Sequence, residues 1–296
     1  MNKIAAIVKL LRVKQWTKNV FVFAALIFTK GFTEPHRVQI TLLAFFAMCL
    51  ASSATYIVND IFDLERDRAH PKKSKRPLAS GVLSVPFAIG LAIACLAGSV
   101  ALALYVRPEV LTLVGVYLAL QVFYNLGLKH IPIADVFVVA SGFVLRAIVG
   151  AVALQVTISG WLLLCTGALA LLLGFGKRRS EFISQGDSRG TSRESLEGYT
   201  KSVLDALVIM VACAAALCYG IYCIESPTAK QYPALLLTSP WVFYAVARYV
   251  MLIFGKDEGG EPDSLVFRDP HMVICFVLYL ITAMLALTGP RLNFLG

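Results

Sequence analysis

Charge is scarce in this chain. Of 296 residues, 27 are Lys or Arg and 18 are Asp or Glu, 15% in all, against about 25% in an ordinary soluble domain. Histidine is rarer still, with four copies, while hydrophobic residues reach 58% and mean hydropathy is +0.75. No CxxC pair occurs among Cys49, Cys95, Cys165, Cys213, Cys218, Cys223 and Cys275, all within or at the end of apolar runs. That argues against a disulfide framework or a zinc site, and the thiols read as packing residues. Polar and apolar residues do not alternate, which excludes a transmembrane β-barrel. No small-residue cleavage pattern accompanies the apolar run from Val20, so no cleavable leader is expected. What remains is a polytopic helical membrane protein, with membrane lipid and not nucleic acid as its surroundings.

A spanning helix needs about 20 mostly apolar residues. Nine such segments are read, at 20–35, 39–58, 83–106, 109–127, 131–154, 159–176, 203–224, 233–254 and 271–290. Residues 1–18 carry Lys3, Lys9, Arg12, Lys14 and Lys18 without an acid. They read as an amphipathic interfacial segment, with Ile4, Ile7, Val8, Leu11 and Trp16 on one side. The N-terminus, 59–82, 128–130, 177–202 and 246–270 hold 5, 6, 1, 6 and 3 bases, 21 in all. The opposite connections hold five: Lys30, Arg37, Arg107, Lys230 and Arg291. The positive-inside rule then places the N-terminus in the cytoplasm and the C-terminus outside a cell membrane. The long polar loops at 59–82, 177–202 and 255–270 become cytoplasmic, and chemistry on an ionic substrate is expected there.

The densest charge lies in "NDIFDLERDRAHPKKSKRPLASG", residues 59–81. Asp60, Asp63 and Asp67 stand at i, i+3 and i+7, one face of a helix, and Asn59 adds an amide oxygen. Basic loops are routine topology signals, but topology needs no acids and no helical spacing. Converging carboxylates repel unless a cation joins them. Hard oxygen donors suit Mg²⁺, which shares its shell with water and substrate phosphate. Arg68, Lys72, Lys73, Lys75 and Arg76 follow as phosphate-pairing cations. Acids for a metal and bases for phosphates together grip a diphosphate.

Two further clusters carry charge. In "YNLGLKHIPIADVFVVASGFVLRAIVGA", residues 124–151, Lys129 and His130 sit in a tight turn, and Asp135 and Arg146 lie at or inside an apolar span. Ionisable groups at that depth face a cavity or one another. Eleven residues put Asp135 and Arg146 on roughly one face, about 16 Å apart, too far for a direct pair. Either they line one polar cavity, or Asp135 snorkels and Arg146 is internally paired. In "GFGKRRSEF", Lys177, Arg178, Arg179 and Glu181 emerge after the sixth span, as a phosphate site or as a stop-transfer flank.

Taken together these stretches resemble the UbiA superfamily of intramembrane prenyltransferases. Asn59, Asp60, Asp63 and Asp67 match its NDxxDxxxD motif after the second span, and the resemblance covers nearly the whole chain. It implies a single domain over 1–296, an all-α fold of nine transmembrane helices around a central cavity, and a cytoplasmic polar cap. The family's second acidic motif is reduced here to Asp135, followed by Val138 and Val139. The chain thereby looks less like the aromatic prenyltransferases. It is more similar to a branch that transfers 5-phosphoribosyl from phosphoribosyl pyrophosphate (PRPP) to a decaprenyl-type polyprenyl phosphate in cell-envelope polysaccharide synthesis. "LRVKQWTKNVFVFAALIF", "DVFVVASGFVLRAIVGA", "KRRSE", "SLEGYT" and "GEPDSLVFRDP" carry that likeness.

The resemblance implies Mg²⁺ held by Asn59, Asp60, Asp63 and Asp67, the three aspartates being catalytic. Lys72, Lys75 and Arg76 would hold PRPP phosphates. Lys18, Lys129, Arg146, Lys177 and Arg178 are candidates for the lipid phosphate or the 5-phosphate, with Arg68 and Asp135 in the same substrate set and Tyr124 and Glu181 orienting. The alternative inside the superfamily is prenyl transfer from a prenyl diphosphate to an aromatic or lipid acceptor. A transporter is disfavoured, because no relay of acids and no inverted repeat of broken helices is visible. Gly142, Ala147, Gly150 and Ala151 let helices pack closely or shape a groove for the lipid tail, and small-residue faces permit a homo-oligomer.

Overall fold

The computed structural model describes residues 2–69, 73–185, 194–256 and 268–288, and among them every regular element is helical. The α-helices in chain order are α1 Lys3–Leu10, α2 Ala24–Phe28, α3 Pro35–Phe62, α4 Leu64–Ala69, α5 Val85–Val106, α6 Pro108–Leu126 and α7 Ala134–Leu154. They continue as α8 Gly160–Gln185, α9 Lys201–Glu225, α10 Pro227–Gln231, α11 Ser239–Lys256 and α12 Pro270–Thr288. Eight helices among the described residues are long and apolar enough to cross a membrane, so this is an integral membrane protein. They correspond to the second to ninth expected spans.

The expected first span, 20–35, is not one helix. A left-handed Arg12 (φ 52°) ends α1, and a 3₁₀ segment, Val13–Phe23, leads into the short α2. A second left-handed residue, Lys30 (φ 57°), and a 3₁₀ turn at Gly31–Thr33 precede α3. The run Val20–Phe23 is wholly β-branched or aromatic, residues that lose rotamer freedom against an α-helical turn. Hydropathy registers the greasiness of this stretch and not its winding.

The described chain divides into two compact units. Unit 1 comprises 1–27, 31–125 and 145–157. Its axis is the α3–α5 pair, on which Ala44, Ala47 and Ala51 of α3 and Ala92 and Ala103 of α5 are buried. Lipid tails are as apolar as side chains, so the gain comes from close packing of small residues and not from leaving water. The Ser99 hydroxyl crosses that interface to the Ala47 carbonyl at 2.8 Å. A core of Val22, Met48, Val110, Val114, Tyr117 and Val149 fills the middle. A second core joins Ala6 and Leu10 of α1 to Ile57, Leu78 and Leu83 at the C-terminal end of α3. The expected apolar side of the N-terminal segment is thus divided. Ile7 and Leu11 pack inward, while Ile4 is 71% exposed and Val8 48%.

Unit 2 comprises 28–30, 126–144 and 158–296, and its axis is the α8–α9 pair. Leu172, Phe175, Val208, Tyr249, Leu252 and Ile253 form one core; Leu162, Tyr219, Tyr222 and Leu235 form another. Arg179 ties three helices together. It donates to Asp205 on α9 at 2.6 Å and to the Ile253 carbonyl of α11 at 2.8 Å, and lies over the Phe254 ring. Asp269 caps α12, accepting from the Met272 amide at 3.0 Å, and Arg248 grips both carboxylate oxygens at 3.2 and 2.7 Å.

Candidate active site

The acidic motif lies in unit 1 where α3 passes into α4. Asn59 and Asp60 occupy the last turn of α3, Asp63 is its C-cap, and Asp67 is on α4. The amides of Asp63 and Asp67 still bond the Asn59 and Asp63 carbonyls at 2.9 and 2.8 Å, so the i, i+3, i+7 stagger survives the junction. Asp60 and Asp67 are buried, 4% and 3% exposed, and buried carboxylates need partners. Arg76 supplies one to each, donating through Nη1 to Asp60 at 3.1 Å and to Asp67 at 2.6 Å. Asp60 also forms a short ion pair with Arg12. Asn59 and Asp63 are half-buried, and their side chains make no hydrogen bond or ion pair among the described residues. The motif therefore contains two clamped carboxylates and two open oxygen donors.

Arg12 was not singled out from sequence, where it is one of five N-terminal bases. Its guanidinium stands over the Tyr56 ring, 4.7 Å from the centroid. The segment is fastened to α3 on both sides: the Ser53 hydroxyl donates to the Leu11 backbone carbonyl at 2.7 Å and accepts from the Trp16 side-chain indole at 3.0 Å. Lys9 reaches the Lys75 carbonyl at 3.2 Å. Of the other bases proposed for phosphates, Lys75 is exposed, and Arg68 is exposed and paired with Glu65 at 2.8 Å. Lys72 lies outside the described residues.

Arg146 also belongs to unit 1 and is buried. It donates to the Asn19 side-chain oxygen at 2.6 Å and to the Tyr117 hydroxyl at 3.3 Å, and it stacks on the Tyr117 ring. Asn19 in turn donates to Cys49, and Tyr117 bonds Ser52. Glycine at 150 makes this possible: a Cβ there would overlap the Val22 carbonyl, so the 3₁₀ backbone rests directly on α7. Lys18 and Tyr124 are half-buried in the same unit.

In unit 2, Asp135 at the start of α7 meets the C-terminal half of α8. Arg178 lies 3.6 Å from Asp135 and pairs closely with Glu181. Ser195 and Tyr199 donate to the two Asp135 oxygens at 3.2 and 3.4 Å. Nothing in the stretch "SLEGYT" marks these two residues as partners of Asp135. The Tyr199 oxygen accepts the amide of Ile133, a β-branched residue in the left-handed region (φ 68°), an uncommon conformation that its surroundings must hold. Burial, the largest influence, pushes the Tyr199 hydroxyl up to about 12, reinforced by the neighbouring Asp135 charge. It stays a hydrogen-bond donor under all ordinary conditions. Gly198 sits against the Pro132 ring, where a Cβ would collide. Lys129, His130 and Lys177 are half-buried nearby in sequence.

Among the described residues no three Asp, Glu, His or Cys side chains converge as a ready-made metal cage. Asn59, Asp60, Asp63 and Asp67 are nonetheless all hard oxygen donors. They fit a Mg²⁺ of the kind held by one or two carboxylates, with water and phosphate oxygens completing the shell.

Residues 19–259 match the sequence model of the UbiA prenyltransferase family. A Corynebacterium glutamicum protein named decaprenyl-phosphate phosphoribosyltransferase is 33% identical over 96% of this chain and 87% of its own length. A Mycolicibacterium smegmatis protein of the same name is 32% identical, covering 94% and 91%. A UbiA homologue from Archaeoglobus fulgidus, solved with DMAPP and Mg²⁺, superposes with a TM-score of 0.67 at 17% identity, over 96% of this chain and 99% of that one.

Proposed function

The chain belongs to the UbiA prenyltransferase family, and from that premise we propose that it transfers 5-phosphoribosyl from PRPP to a decaprenyl-type polyprenyl phosphate. The observation that carries this reading is the contrast between the two acidic clusters. The first keeps open oxygen donors beside its clamped carboxylates. The second is a single carboxylate, Asp135, engaged by Arg178, Ser195 and Tyr199. One acidic grip suffices when only one diphosphate, that of PRPP, must be held. The name shared by the near-full-length relatives supports the same choice.

In this reading Asn59, Asp60, Asp63 and Asp67 hold Mg²⁺, which supplies charge neutralisation of the diphosphate leaving group. An oxygen of the lipid phosphate bonds the ribose anomeric carbon, the bond from that carbon to diphosphate breaks, and the electron pair departs with diphosphate. The products are polyprenyl-phosphoryl-5-phosphoribose and diphosphate. The lipid phosphate is already anionic near neutral pH, so the chain needs no strong general base. Its work is to place cations where charge builds: Lys72, Lys75 and Arg76 on the PRPP phosphates, with Arg68 at their edge. Lys18, Lys129, Arg146, Lys177 and Arg178 are proposed partners of the lipid phosphate or the 5-phosphate, with Tyr124, Asp135 and Glu181 orienting.

The topology proposed is nine crossings of one domain, N-terminus and chemistry in the cytoplasm. Supporting it, eight long apolar helices supply eight of the crossings, and the apolar run from Val20 is the segment proposed for the first. The test is incorporation of labelled PRPP into lipid by purified protein with Mg²⁺ and polyprenyl phosphate. Labelled lipid is expected, and Asp60→Ala and Asp63→Ala should each abolish it. Consumption of a prenyl diphosphate with an aromatic acceptor, and none of PRPP, would overturn the assignment.

A further inference from the structure

We infer that Arg12 is a positioning residue that stands in for the metal at Asp60, and transfers its guanidinium to the substrate's diphosphate when the metal arrives. This rests on the reading of Asp60 as part of a metal and diphosphate grip. Asp60 is 4% exposed, and a buried carboxylate left without a counter-charge is strongly destabilising. A second cation at the same carboxylate keeps a site that waits for a soluble cation compensated meanwhile. Arg12 and Arg76 both reach the same Asp60 oxygen, and Arg76 also reaches Asp67.

The charge balance shows how the exchange closes. Two guanidiniums neutralise two buried carboxylates in the structure. When a divalent cation takes both carboxylates, the two guanidiniums are released with two positive charges, matching two charges on a diphosphate. Neither buried carboxylate is left without a cation in either arrangement. Arg12 is built for the movement. Its neighbours are pinned to α3 through Ser53, so the side chain and not the segment must move. The Tyr56 ring gives the guanidinium a flat π surface to remain against while its fork turns. Its left-handed backbone, φ 52° in a residue that is not glycine, is the kind of uncommon conformation retained where a side chain must be aimed.

The test reads cation binding and not turnover. Mn²⁺ affinity of the full-length protein in nanodiscs, without substrate, is measured by the loss of the free-ion paramagnetic resonance signal. Inorganic diphosphate affinity is then measured with Mn²⁺ saturating. Arg12→Gln removes the competing cation, so Mn²⁺ should bind about fivefold to tenfold tighter, the scale of a partly exposed ion pair. Diphosphate should bind about tenfold weaker, for want of one charged partner. Opposite shifts are what a merely structural Arg12 would not give. Mn²⁺ affinity that is unchanged or weakened overturns the proposal, as does diphosphate affinity that is unchanged. Should Arg12→Gln not fold, Arg12→Lys carries the test: its point charge competes less well, and Mn²⁺ affinity equal to wild type overturns the proposal. Turnover of PRPP by the wild type is decided separately, so failure of that reading is distinguishable from failure of this one.

Discussion

Gly150→Ala tests the contact between α7 and the 3₁₀ segment with a single methyl group. The added Cβ would overlap the Val22 oxygen and stand 2.8 Å from its carbonyl carbon. Backbone cannot swing away as a side-chain tip can, so the two elements must separate. The damage reaches further by periodicity. Asn19 precedes Val22 by three residues, one full 3₁₀ turn, and Arg146 precedes Gly150 by four, about one α turn. The same pair of faces therefore carries the 2.6 Å Arg146–Asn19 bond, which the separation stretches. Overpacking costs about 1–3 kcal/mol and a buried charged hydrogen bond about 1.5–3. Partial relief leaves an expected loss of about 2–4 kcal/mol, or roughly 5–10 °C in unfolding midpoint. The assay is thermal unfolding in nanodiscs, with Gly115→Ala on α6 as control. A Cβ at Gly115 meets nothing within 4 Å, so that variant should match or slightly exceed the wild type. Equal midpoints for Gly150→Ala and wild type would refute the reasoning.

Other outcomes follow from the two acidic sites and from the cap of α12. Asp63→Asn should abolish phosphoribosyl transfer and leave the unfolding midpoint within about 2 °C, because Asp63 has no ion pair among the described residues to lose; Asp67→Asn, which leaves Arg76 short of a buried partner, should lower both. Tyr199→Phe deprives Asp135 of a donor and the Ile133 amide of its acceptor, an expected loss of about 1–3 kcal/mol by denaturant titration. With its hydroxyl raised to about 12, the stability Tyr199 contributes is complete below pH 10 and lost as pH climbs toward 12; phenolate absorbance specific to Tyr199 near pH 10 would contradict this. The Arg248 hydrogen bond holds the Asp269 carboxyl below its usual range, so its contribution to α12 is present above about pH 4 and lost as pH falls through the lowered value. Unfolding of wild type and Asp269→Ala should converge in acid and separate above it.

The eight long helices follow the hydropathy closely because length and apolarity are all a crossing requires. They overrun the apolar runs at their ends: α3 continues to Phe62 and α8 to Gln185, since a helix need not stop where lipid does. Hydropathy does not show the 3₁₀ path of Val13–Phe23: the β-branched and aromatic run Val20–Phe23 weakens an α-helix there, and the close approach to α7 at Gly150, a contact set by packing, accompanies it. The acids were legible through their spacing. The counter-ion Arg12 was not, since it lies 48 residues before Asp60; nor was the buried Arg146–Asn19 hydrogen bond, whose partners are 127 residues apart. Asp135 stood out as an acid inside a span, yet Ser195 and Tyr199, more than 55 residues away, carry nothing that marks them as its donors.

The fastening of the N-terminal segment onto α3 also sets an order of events during synthesis. Arg12 leaves the ribosome 48 residues ahead of Asp60 and 64 ahead of Arg76, a gap of roughly 2–13 s at ordinary elongation rates. For that interval a segment with five bases and outward Ile4 and Val8 has no protein partner. An anionic lipid surface is the partner its chemistry offers. Lipid charge would then act as a placeholder for Asp60 before the protein exists to supply it, and membranes poor in anionic lipid should assemble this protein more slowly.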